Sequence, residues 1–175
     1  SGSPVARWRS SSVTDLNDGG VGGVPALFKR FTEQAGLNYE VSLETAGGRT
    51  LQWHFDERRD KIDRAWDTVV LQEFSVLDPN APGNPALTID YATRLTSLFA
   101  ARNPKVAITL AATWTRPDQT YVSSGHWYGK PVTAMALDVR HGMDKAAAAA
   151  AHGAKVSPVG EAFNCAIAAG LADPD

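Results

Sequence analysis

Three short β-rich runs constrain this chain most: TVVL at Thr68–Leu71, KVAITLAA at Lys105–Ala112 and AKVSPV at Ala154–Val159. The first two are too uniformly apolar for a strand wetted on one face, which marks them as strands inside a parallel sheet. Helix-patterned stretches, Ile89–Ala101 and Thr133–His152, lie between the runs, long enough to return the chain for parallel crossovers. Upstream, YEVSLET (Tyr39–Thr45) alternates like a half-buried strand. PALFKRFTEQA (Pro25–Ala35) puts Leu27, Phe28 and Phe31 on one helical face. Pro4–Arg9 is a short strand candidate broken by two arginines, and a last helix is predicted over Glu161–Ala169. The pattern predicts an α/β protein, a three-layer α/β/α sandwich with a parallel, flavodoxin-like sheet. At 175 residues it is expected to form a single domain, residues 1–175.

Composition narrows the partners. The net charge of −2, with lysine and arginine scattered, argues against nucleic acid. No apolar run approaches the roughly 20 residues that cross a bilayer, so no membrane partner is expected. The lone Cys165 cannot form an internal disulfide and is expected to pack within its helix. The compartment stays open.

In doubly wound sheets, ligands sit beyond the carboxyl ends of the strands. Four stretches are expected there: Ser10–Gly23, Ala46–Gly48, Gln72–Ser75 and Thr113–Tyr128. The first, with three serines and a glycine cluster, is neither a Walker loop nor a GxGxxG turn. It reads as a flexible linker, an unusual phosphate cradle, or a nucleophile turn with an exposed serine hydroxyl. The aromatic loop Trp114–Tyr128 reads either as a sugar-stacking wall or as a surface cover. The four histidines are too dispersed for a metal site.

Several blocks together resemble the bacterial branch of the SGNH (GDSL-like) hydrolases that carries a Gly-Asn-Ser-Phe-Thr first block. They are Ser10-Ser11-Ser12-Val13-Thr14, Ala46-Gly47-Gly48-Arg49-Thr50-Leu51, and Trp66-Asp67-Thr68-Val69-Val70-Leu71-Gln72-Glu73-Phe74-Ser75. Ala112-Thr113-Trp114 and Pro158-Val159-Gly160-Glu161-Ala162 add to the likeness. The resemblance implies a serine ester hydrolase acting on small or carbohydrate-linked esters, without cofactor or metal. By position it implies Ser12 as nucleophile, with the Gly48 N–H and the Gln72 amide as oxyanion donors. His126 and Trp127 are expected to contact substrate.

Two departures stand out. Ser10 and Ser11 replace the family's Gly-Asn, and a strand reading VARWRS would bury two arginines. The family's Asp-x-x-His block is missing, so the chain is expected to be cut short before its general base. Of the histidines present, His54 and His126 are the candidate substitutes. His141 and His152 are placed on the alanine-rich helix, facing water. The competing expectations are a non-catalytic binding or scaffold domain of the same fold, and a flavodoxin-like flavin or nucleotide binder.

Overall fold

A computed structural model describes residues 6–173 as an α/β protein with parallel strands, divided into two compact units, residues 1–48 and 49–175.

In the first unit, β1 (Thr14–Asp15) pairs in parallel with β2 (Ser42–Leu43), and α1 (Gly23–Gln34) runs between them. The strand expected over Tyr39–Thr45 thus contracts to two residues. Beyond the ladder, Asn17 Nδ2 donates to Glu44 Oε1 (2.7 Å) and to the Thr45 carbonyl (3.1 Å), so a side chain replaces the backbone pairing. The Asp15 carboxylate accepts from the N–H groups of Asn17 (2.9 Å) and Val21 (3.0 Å), which shapes the glycine turn ahead of α1. Gly22 must be glycine there. A Cβ would lie 2.1 Å from the Trp8 carbonyl oxygen, closer than any side chain tolerates. Leu27, Phe28 and Phe31 share a face of α1 but stay exposed, with Phe28 edge-on to Tyr39 at 5.4 Å.

The strand candidate Pro4–Arg9 is corrected where it can be seen: residues 6–9 are turn, while Pro4 and Val5 lie outside the described residues. Arg7, Trp8 and Arg9 all face solvent, and the Arg9 guanidinium comes within 3.5 Å of Glu33. The reason is desolvation, since a central strand would have removed both arginines from water.

In the second unit, β3 (Thr68–Leu71), β4 (Ala107–Ala111) and β5 (Lys155–Ser157) form a parallel sheet in sequential order. Leu71 pairs with Leu110, and Leu110 with Val156. The crossovers are α4 (Ala86–Arg102) and α6 (Ala134–Ala149), which pack against each other. Their buried faces, including Leu95, Phe99, Met135, Val139 and Met143, close a core on Leu71, Ile108 and Leu110. On the opposite face of β3, Thr68 is exposed and Val70 is 65% exposed. α/β layering therefore holds, while among the described residues no helical layer covers that side of β3.

Shorter helices complete the unit: α2 (Leu51–Glu57), α3 (Arg59–Ile62), α5 (Pro117–Thr120) and α7 (Val159–Ala168). Thr50 caps α2 by accepting from the Trp53 N–H at 3.3 Å. Cys165, expected to pack within its helix, is exposed on α7. His141 is exposed on α6, and His152 lies in the exposed turn beyond its end. No helix among the described residues is long and apolar enough to cross a membrane.

Candidate functional site

The carboxyl end of β3 is where the second unit gathers its polar chemistry. Strand alternation continues past Leu71, so Gln72 points to solvent and Glu73 turns inward, 2% exposed. Glu73 Oε1 accepts from the N–H groups of Leu51 (3.0 Å) and Phe74 (2.7 Å), binding the start of α2 to the end of β3. Burial pushes the Glu73 carboxyl up to about 7, against the pull of those two N–H groups.

Two residues farther on, the Ser75 hydroxyl accepts from the Arg116 guanidinium at 2.8 Å. Arg116 also grips Asp118 with Nε and Nη2, at 2.9 and 2.8 Å. Partial burial raises the Asp118 carboxyl, but the Gln119 amide and Arg116 outweigh it and hold it below the usual range. The loops after β3 and β4 are thereby tied across the sheet end. Trp114, following β4, stacks on Phe163 of α7 at 5.4 Å, and both rings are partly exposed. They line a small groove of about 170 Å³ with Thr115, Val132, Asn164 and Ile167.

Of the expected site residues, Gln72 is solvent-facing at the carboxyl end of β3, where an amide can meet a ligand. Gly48 follows β2 with a left-handed backbone (φ 71°) and open space where a Cβ would stand. The expected placement of Ser12, leaving the end of a strand, is corrected. The residue ends a 3₁₀ turn, Ser10–Ser12, before β1 rather than after a strand, and its Oγ donates to the Arg9 carbonyl at 2.8 Å. Because β1 and β2 are parallel, Ser12 precedes the amino end of their ladder while Gly48 follows the carboxyl end. The cause is local. Without a strand at residues 6–9, no strand end remains to carry the serine.

Trp127 is also corrected. It is fully buried in the core, and its Nε1 donates to Asp138 of α6 at 2.8 Å. An indole with one polar handle suits such a seat, where the ring packs and the N–H is satisfied. His126 remains exposed, edge-on to Trp127 at 4.6 Å, with Nε2 3.3 Å from the point where a Cβ on Gly83 would lie. The His126–Trp127 pair thus fastens the aromatic loop to the β3–α4 connection. His54 sits half-buried on α2 against Trp53.

Two features had no reading in the sequence: the Glu73 clasp and the Ser75–Arg116–Asp118 bridge. The alternation that sends Gln72 outward predicts an inward Glu73, so that signal was present. Nothing local marks Arg116. Among the described residues, no group of three or more His, Cys, Asp or Glu side chains is placed to hold a metal ion. Comparison with protein-family models, curated proteins and solved structures finds no match to this chain.

Proposed function

We propose that this chain is an ester hydrolase domain of the SGNH kind, acting on small or carbohydrate-linked esters. One observation carries the reading: the exposed Gln72 amide at the carboxyl end of a parallel strand whose next residue is pinned in the core. A donor on a rigid strand end is what stabilising a developing oxyanion requires, because its dipole is oriented before reaction. The family resemblance assigns a further donor to Gly48 of the first unit, whose left-handed backbone can be approached without a side chain in the way. In this reading the Ser12 hydroxyl turns from the Arg9 carbonyl, attacks the ester carbonyl and expels the alcohol. Water then hydrolyses the acyl-enzyme. The proton passes to a base, for which His54 and His126 are the candidates within the described residues.

A second reading, a non-catalytic binding domain, is favoured by the Ser12 hydroxyl being engaged with Arg9 before the amino end of β1. Hydrolysis of p-nitrophenyl acetate by the full chain, by Ser12→Ala and by Gln72→Ala separates the two. The hydrolase reading expects Ser12→Ala to abolish turnover and Gln72→Ala to lower it by about 10²–10³. Turnover that survives Ser12→Ala rejects the nucleophile. Absence of turnover in all three, with calorimetric binding of a carbohydrate ester that Gln72→Ala weakens, supports the binding domain instead.

A further inference from the structure

Glu73 places an ionisable group where a charge has little support. Its carboxyl is enclosed by the end of β3, the first turn of α2 and the start of α4. Oε1 takes both backbone N–H groups, from Leu51 and Phe74. Oε2 is buried and, among the described residues, has no hydrogen-bond partner of good geometry. The fully buried Thr88 hydroxyl of α4 faces the same carboxyl and is likewise unsatisfied. Two orphaned polar atoms side by side are costly as they stand, because each has left water without a replacement bond. The Thr88 hydroxyl can donate to Oε2 when the acid is ionised, and a proton on Oε2 can be donated to Thr88 Oγ1 when it is neutral, so what protonation removes is the buried charge. The charged side chain acting on Glu73 is Asp78, on the loop after β3, whose sign opposes ionisation. α2 meets Glu73 with a backbone N–H and α4 with a hydroxyl, so neither brings a cation to it.

We propose that Glu73 is a proton-operated clasp joining the end of β3 to α2 and α4. In the closed state Oε2 carries the proton and donates to Thr88 Oγ1, while Oε1 holds the two N–H groups. Raising the pH releases that proton to solvent and leaves a buried anion facing Asp78. Its second oxygen is then within reach of a single hydroxyl proton, and water enters between α2 and α4 to solvate it. Desolvation pushes the transition up to about pH 7, so the clasp works close to neutrality. Gln72 immediately precedes Glu73, so opening also frees the exposed amide from its rigid support. The clasp depends on burial, hydrogen bonding and the Asp78 charge, and it is tested without any ester turnover.

The test compares the full chain with Glu73→Gln. Glutamine keeps an acceptor for the two N–H groups and puts a permanent N–H donor where the acid carries its proton. The expected result is a melting temperature that falls by on the order of 5 °C from pH 5 to pH 8 in the parent. Glu73→Gln should lose that part of the slope and be the more stable protein at pH 8. In the parent labelled with ¹³C-glutamate, one side-chain carboxyl resonance should titrate near pH 7, and Glu73→Gln should lack it. Equal slopes in both proteins, or glutamates that all titrate below about pH 5, overturn the proposal. The labelled parent decides the matter by itself if Glu73→Gln does not fold.

Discussion

Gly22 shows how far one missing methyl group organises the first unit. Its N–H donates to the Ala6 carbonyl at 2.8 Å, and the space a Cβ would need is filled by the Trp8 carbonyl and the backbone of Ser10. Gly22→Ala is expected to destabilise by about 1–3 kcal/mol, the range for forcing atoms into a packed site. Gly47→Ala, with nothing within 4 Å of its added carbon, should change stability by less than about 0.5 kcal/mol. Urea unfolding of the two variants side by side checks the contrast, and equal costs would mean that the turn is not built on this close approach. The glycine-rich stretch was legible as a turn, because glycine is what tight backbone requires. That it packs closely against residues 6–10 was not legible. The deciding contacts come from carbonyls that carry no signature in the sequence.

At the scale of the element, β3 matches its predicted bounds, Thr68–Leu71, yet its two faces meet different surroundings. Leu71 lies in the buried core, while Val70 looks outward. A run of β-branched and apolar residues predicts burial on both sides, and the difference depends on where the crossovers pass. The strands run in sequential order and α4 packs against α6, so both helices lie on one face, as crossovers of the usual right hand require. Val70→Thr is therefore expected to shift stability by no more than about 0.5 kcal/mol. Leu110→Ala, on the neighbouring strand with its side chain fully buried, should cost about 2–5 kcal/mol. Thermal melts of both variants measure this, and a cost above about 2 kcal/mol for Val70→Thr would mean that the exposed face is covered in solution. The helices were more legible than the strands. Ile89–Ala101 was predicted and Ala86–Arg102 forms, because a 3.6-residue period persists over many turns. The strand over Tyr39–Thr45 shrank because pairing needs a partner, and β1 offers only two residues.

For the whole molecule, pH reads out how burial and ion pairing are distributed. The Glu73 carboxyl titrates at about 7 when folded and near its ordinary 4.5 when unfolded. Its folded value is raised, so its stabilising share is complete below pH 4.5 and is lost as the pH climbs through about 7. The ceiling is about 3 kcal/mol, at 1.36 kcal/mol per unit, and access of water to the site lowers it. Asp63 runs the other way. The Arg102 guanidinium, bound to it at 2.7 and 2.8 Å, holds its carboxyl below 3.8. That contribution is present above 3.8 and fades as the pH falls further. The two together predict greatest stability on the acid side of neutrality, between about pH 4 and 6, as a series of melting curves would show. A maximum at pH 8 would contradict the Glu73 assignment, and stability that stays level below pH 3.8 would contradict that of Asp63. By itself the sequence determined the α/β class, the positions of the long helices and the central strands. Each of these follows from periodicity, which is a local property of the chain. Tertiary structure alone decided that Trp127 enters the core, that Ser12 precedes its strand, and that Glu73 lies against Thr88. Burial depends on which distant segment folds over a residue, and no spacing within the residue's own neighbourhood encodes that.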